Sequence, residues 1–89
     1  MNDMPFIPEF NKAEERNKWI VENAQYFTTI FRCRRHYERE EYWSFEDAVT
    51  QAKKLVGKAP TGRVLIYAVA GGHDALAATV SAEEVKRHS

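Results

Sequence analysis

A helix pattern followed directly by a strand pattern, between residues 44 and 80, constrains the fold more than any other part of the chain. Ser44 is a favourable N-cap, because its hydroxyl can accept a hydrogen bond from the free amide of Asp47. Apolar residues then recur at helical spacing, namely Phe45, Ala48, Val49, Ala52, Leu55 and Val56. We predict a helix over residues 44–57, with Leu55 in the core and Gly57 ending the helix in the left-handed conformation.

Residues 63–70 form a continuous apolar run that is rich in β-branched and aromatic side chains. Such a run is typical of a central strand that is covered on both faces. Gly71 and Gly72 supply the chemistry of a tight turn. Residues 75–80 then return as an antiparallel partner, so we predict a β-hairpin.

A further strand is predicted upstream, over residues 26–35, with Phe27, Thr29, Phe31 and Cys33 on its core face. Asn11 and Glu14 resemble a capping box for a helix of roughly three turns before it. We therefore predict an α+β fold, in which a small antiparallel sheet of about three strands has a helix packed on one face, in the order α-β-α-β-β. Residues 1–10 are predicted to be an irregular arm and residues 11–89 a single domain.

Charge weakens two classes of function, and cysteine content bears on the compartment. The 89 residues include 13 basic and 13 acidic side chains, so the formal net charge is zero. A mimic of DNA should be strongly acidic, and a general nucleic-acid binder should be basic. One cysteine excludes an internal disulfide, which favours a reducing compartment. We expect a cytoplasmic protein without a membrane partner, because the chain shows no signal peptide and no apolar run near the ~20 residues that span a bilayer.

No motif indicates catalysis, a metal or a cofactor. Cys33 and His36 form a C-x-x-H pair, but no second pair follows to complete a tetrahedral site. His73 and Asp74 could act as an acid–base pair, yet they lie in a stretch whose glycines a plain hairpin turn explains. We expect a protein that is not an enzyme, with an enzyme centred on His73 and Asp74 as the weakest alternative.

Residues 32–43, here called the Arg/aromatic segment, are the richest surface feature. Arginine interleaved with aromatic residues is used both by protein interfaces and by platforms that bind single-stranded nucleic acid. Three interpretations stay open: contact with a protein partner, which we favour, a solvated connector, and a nucleic-acid site. The predicted contact residues are Arg32, Arg34, Arg35, Tyr37, Arg39 and Tyr42.

The strand at residues 63–70 needs cover on both faces, but only the helix at 44–57 is strongly amphipathic. Either the first helix covers the second face, with help from Phe6, Ile7 and Phe10, or a second protein does. A homodimer is therefore among the expected assemblies.

The succession of a strand, a helix and a hairpin over residues 26–80 resembles small accessory proteins that bacteriophages encode. Some of these proteins inhibit host enzymes or CRISPR complexes. The resemblance is one of layout, and no functional residue is carried over from it. It implies a small regulator or inhibitor that binds a larger protein, and the alternative is a nucleic-acid-binding module that uses the Arg/aromatic segment.

Overall fold

The computed structural model describes residues 12–83, which form two helices and four strands and confirm the α+β class. The elements are α1 (Ala13–Glu22), β1 (Tyr26–Cys33), β2 (His36–Tyr42), α2 (Phe45–Leu55), β3 (Arg63–Ala70) and β4 (His73–Ser81). The predicted arm at residues 1–10 and the predicted cap residue Asn11 lie outside the described residues. Helix α1 begins after Lys12, whose side chain makes no capping hydrogen bond.

The strands form one antiparallel sheet in the order β2-β1-β3-β4. The predicted order α-β-α-β-β and the count of about three strands were wrong, because β2 is a strand and not a connector. Its residues show no apolar alternation, since the first six of its seven positions are exposed. An edge strand with little to bury carries no sequence signal of this kind.

The architecture repeats one unit, in which a helix is followed by a hairpin with a two-residue turn. The first unit is α1-β1-β2, which turns at Arg34 and Arg35, and the second is α2-β3-β4, which turns at Gly71 and Gly72. The two glycines have positive φ angles of 58° and 79°, as a tight hairpin turn requires. The first strand of each unit pairs with the first strand of the other, so β1 and β3 lie at the centre of the sheet.

Helix α2 begins as the sequence predicts and ends differently. The Ser44 hydroxyl accepts a hydrogen bond from the Asp47 amide at 3.1 Å, which confirms the cap. Gly57 does not adopt the left-handed conformation, so that prediction was wrong. The helix closes instead on the carbonyl of Leu55, which accepts from the amides of Lys58 at 2.9 Å and Ala59 at 3.1 Å.

The core lies between the sheet and both helices. Alternate residues of β3 are fully buried, and Phe27 and Phe31 of β1 lie on the core face as predicted. They pack in one cluster with α2 and with Ile20 of α1. Helix α1 contacts β3 and β4, whereas α2 also contacts β1 and β2. Because α1 and α2 share one face, neither of these two helices lies on the opposite face of the sheet.

Burial predicts how much each core side chain contributes to stability. Ile66 is fully buried, whereas Leu55 is half-buried at the margin of the core. We expect Ile66→Ala to lower the free energy of unfolding by about 2–5 kcal/mol, and Leu55→Ala to lower it by less than half as much. Urea unfolding of both variants measures this difference. Equal losses would show that Leu55 is more deeply packed than its exposure indicates.

Candidate functional site

The register of the sheet defines which side chains share the face opposite the helices, because neighbouring residues of a strand point to opposite sides. We call this surface the helix-free face. It comprises Tyr26, Thr28, Ile30 and Arg32 of β1, Tyr37, Arg39 and Glu41 of β2, Arg63, Leu65, Tyr67 and Val69 of β3, and Asp74, Leu76, Thr79 and Ser81 of β4, together with Trp43, which follows β2 and contacts Tyr26.

The centre of the helix-free face is largely apolar and surrounds the fully buried Thr28. Ile30 of β1 lies directly opposite Leu65 of β3, and Tyr67 of β3 lies directly opposite Leu76 of β4. None of these four side chains packs into the core cluster. Leu76 is 51% exposed, and the other three are half-buried. A contiguous apolar patch on one face of a sheet marks an interaction surface more often than chance exposure does.

The two ends of the helix-free face carry charged residues of opposite sign. Arg32 and Arg63 lie at the end that carries the β1–β2 turn, and Arg39 lies one row further in. Glu41 and Asp74 lie toward the other end of the sheet. The face is therefore basic at one end and acidic at the other, with its apolar centre between them.

An aromatic pair stands at the acidic end. The ring of Trp43 meets the ring of Tyr26 edge to face, with 6.4 Å between centroids and 75° between planes. Trp43 is 86% exposed, although an indole of this size usually buries most of its surface. Sequence reasoning did not assign Trp43 or Leu76 to a site, because their position follows from the register and not from any local motif.

The structure divides the predicted contact residues between two faces. Arg32, Tyr37 and Arg39 lie together on the helix-free face, where Tyr37 pairs directly with Arg32. Tyr42 lies on the other face, packs against the core and donates a hydrogen bond from its hydroxyl to Glu40 Oε2 at 2.6 Å. Burial, together with the Glu40 carboxylate, raises the pKa of the Tyr42 phenol.

Arg34 and Arg35, the other two predicted contact residues, form the turn between β1 and β2. Arg34 has a φ of 55° and is the one non-glycine residue with a positive φ among residues 12–83. The first position of such a turn favours glycine, because a side chain there crowds its own backbone. The turn therefore stores strain and places Arg34 at the end of the sheet that also carries Arg32 and Arg63.

The histidines do not assemble a catalytic group in the described part of the chain. His73 Nδ1 lies 2.9 Å from the Arg16 guanidinium on the helix side, whereas Asp74 lies on the helix-free face. His36 Nε2 lies 2.9 Å from Glu38 Oε1, and both side chains are exposed. Cys33 is directly opposite His36, but no hydrogen bond joins them. Residues 12–83 contain no group of three side chains that could hold a metal ion.

A groove of 320 Å³ opens on the helix side of the sheet, between the end of α2 and strands β1 and β2. Phe31 and Leu55 form its apolar part, and Glu38, Glu40 and Lys58 contribute charge. Thr29, which also lines the groove, is fully buried. No sequence motif indicates this groove, because its lining comes from separate elements.

Comparison of the chain with protein-family models, with curated proteins and with solved structures found no match. The helices within residues 12–83 are too short and too polar to cross a membrane. The candidate site is therefore defined by the geometry of the helix-free face.

The strain at Arg34 is testable. We expect Arg34→Gly to raise the free energy of unfolding by about 0.5–1 kcal/mol, because glycine adopts this conformation without steric cost. Arg35→Gly is the matched control, since Arg35 has an ordinary negative φ and gains nothing from the change. Thermal unfolding measures both variants. A lower midpoint for Arg34→Gly than for Arg35→Gly would contradict the described turn.

Proposed function

We propose that this chain is a non-enzymatic protein-interaction domain that binds an apolar protein surface through its helix-free face. The observation that supports the proposal is the apolar centre of that face, which neither helix covers. Removing apolar surface from water stabilises a complex by roughly 25 cal/mol per Å². A face of this kind is therefore a source of binding energy.

The composition of the helix-free face supports protein binding. Its register positions hold three arginines and three tyrosines but no lysine. Interfaces between proteins are enriched in arginine and tyrosine and depleted of lysine, with an apolar centre inside a polar rim. On this proposal Arg32, Tyr37 and Arg39 belong to the rim, and Leu65, Tyr67 and Leu76 supply the centre.

A small domain that acts by occupying a surface of a larger protein is a regulator or an inhibitor. The layout of residues 26–80, with its resemblance to accessory proteins of bacteriophages, supports this role. The separation of His73 from Asp74 onto opposite faces also removes one basis for an enzymatic role.

Binding of single-stranded nucleic acid is the second candidate, and one observation favours it. Tyr26, Tyr37 and Tyr67 share the helix-free face with Arg32 and Arg39, and bases stack on aromatic rings beside arginines in many such sites. Glu41 and Asp74 on the same face, together with zero net charge, weaken this candidate.

Affinity capture with matched variants tests the proposal. Leu76→Glu places a charge on the helix-free face at an exposed position, so the fold should survive. Thr50→Glu adds the same charge on the exposed side of α2. We expect tagged wild-type chain and Thr50→Glu to capture the same protein from a lysate of the native host, and Leu76→Glu to lose it at least about tenfold. Equal recovery by all three, quantified by mass spectrometry, would overturn the proposal.

Salt dependence separates the two candidates. Three phosphate contacts with a single strand, through Arg32, Arg39 and Arg63, would weaken binding about twenty-fold between 50 and 200 mM salt. Binding through the apolar centre should change by less than about threefold, because apolar burial does not release counterions. Titration of the captured partner at both salt concentrations measures the difference, and a steep loss with a nucleic-acid ligand would establish the second candidate.

A further inference from the structure

The helix-free face is complementary to itself. We infer that its partner is a second copy of this chain, packed face to face about a two-fold axis that lies between the two sheets, perpendicular to the strands. This inference rests on the proposed function and adds the identity of the partner. Charge complementarity across the face carries the argument.

The face consists of four rows of side chains that run across the strands. The outer basic row holds Tyr37, Arg32, Arg63 and Ser81, and the next holds Arg39, Ile30, Leu65 and Thr79. The third row holds Glu41, Thr28, Tyr67 and Leu76, and the outer acidic row holds Trp43, Tyr26, Val69 and Asp74.

A two-fold axis across the strands keeps each strand above its own counterpart and reverses the order of the rows. The second row of one copy then meets the third row of the other. Arg39 comes to lie opposite the partner's Glu41, and the symmetry makes this pair twice. At the centre Leu65 lies opposite the partner's Tyr67, which is an apolar contact, whereas Ile30 lies opposite the partner's Thr28 and Leu76 lies opposite the partner's Thr79.

The outer rows contain two favourable pairs, and their other two pairs are Arg63 over the partner's Val69 and Ser81 over the partner's Asp74. Arg32 comes to lie over the partner's Tyr26, a guanidinium on an aromatic ring, which is a favourable cation–π arrangement. Tyr37 comes to lie over the partner's Trp43, and both side chains are exposed in the single chain, at 64% and 86%. These arrangements give the exposed aromatic residues a partner.

The other in-plane axis, parallel to the strands, is disfavoured by charge. It would place each row over the same row of the partner, and it would place β2 over the partner's β4. Arg32 would then face the partner's Arg63, and Glu41 would face the partner's Leu76. Like charges and a carboxylate against an apolar side chain both oppose association, so the pattern selects the axis across the strands.

The charged side chains that would pair across this interface are not paired with other residues of the described part of the chain. Within residues 12–83, Arg32, Arg39 and Glu41 form no ion pair and no side-chain hydrogen bond. All three side chains are exposed in the single chain. Pairing them across an interface therefore breaks no existing interaction.

The size of the face predicts a weak dimer. Four strands at about 4.8 Å spacing, each of about eight residues rising about 3.3 Å, cover about 500 Å². Two such faces give about 1,000 Å², which is at the lower limit for a specific interface. Two sheets of this size pack about 10 Å apart with their strands nearly aligned. We expect dissociation constants in the micromolar range.

Charge reversal tests the two-fold arrangement. R39E brings two carboxylates together twice, and E41R brings two guanidinium groups together twice, so each variant alone should dimerise at least about tenfold more weakly than wild type. An equimolar mixture restores both opposite-charge pairs and should form a heterodimer. Light scattering and sedimentation from micromolar to millimolar chain concentration measure the masses, and circular dichroism checks that each variant is folded.

A matched control separates pairing from general charge attraction. Lys18→Glu and Glu22→Arg carry the same changes of charge on exposed positions of α1. Each should dimerise like wild type and show no preference for the mixture. The inference is overturned if wild type stays monomeric throughout, if R39E or E41R dimerises like wild type, or if the control mixture associates as strongly as the test mixture.

The capture experiment keeps this inference distinct from the proposed function. If wild type stays monomeric and Leu76→Glu still loses a captured protein, the two-fold dimer is wrong and the proposed function stands. If wild type stays monomeric and Leu76→Glu captures as wild type does, both are wrong. If wild type dimerises and the charge-reversal mixture forms a heterodimer, the partner of the helix-free face is the chain itself.

Discussion

The packing of both helices on one side of β3 is the contact on which the rest of the structure depends. Val64, Ile66, Ala68 and Ala70 of this strand are all fully buried. Ala48 and Ala52 of α2 are also fully buried, and small side chains of this kind allow a helix to lie close to a sheet. Because both of these helices pack on this face, neither of them covers the large side chains on the other face of β3. The same contact thus creates the core and the candidate site.

The two edges of the sheet differ in a way that favours contact through a face. The β2 edge carries Glu38, Arg39, Glu40 and Glu41, and charged edge strands oppose pairing with another chain. The β4 edge contains a register shift opposite Ile66 and Tyr67, and such a bulge bends the strand and interrupts its ladder. Neither edge is a regular template for a further strand. Association through the broad surface of the sheet remains compatible with both.

Local signals in the sequence predicted the elements that local chemistry determines. The cap at Ser44, the core face of β1 and the turn at Gly71 and Gly72 all depend on residues close together in the chain, and all three are present. Strand β2 was missed because its burial is slight, and Gly57 was misjudged because the carbonyl of Leu55 closes the helix without a left-handed residue. The face that α1 covers could not be predicted, since it depends on packing between distant segments.

For the candidate site, too, the sequence indicated local features but not the contacts between distant segments. Composition alone indicated the Arg/aromatic segment, and alternation alone indicated that Leu65 and Tyr67 needed cover. Only the register between β1, β2 and β3 shows that Arg32 and Arg39 share a face with Tyr67, while Tyr42 does not. Pairing between strands joins residues that are far apart in the chain. Residue types therefore indicate the chemistry of a site, but they do not show which residues belong to it.

The repeated helix–hairpin unit has a consequence for the order of folding. Within each unit the strands are joined by two residues, so each hairpin closes quickly. The seam between the units is the pairing of β1 with β3, whose partners, such as Tyr26 and Val69, are far apart in the chain. Closing that long loop costs entropy before packing of the core stabilises the structure. We therefore expect docking of the two units to be the slow step. Until the seam closes, each half exposes the inner edge of its own hairpin, and two chains at high concentration can join halves across molecules.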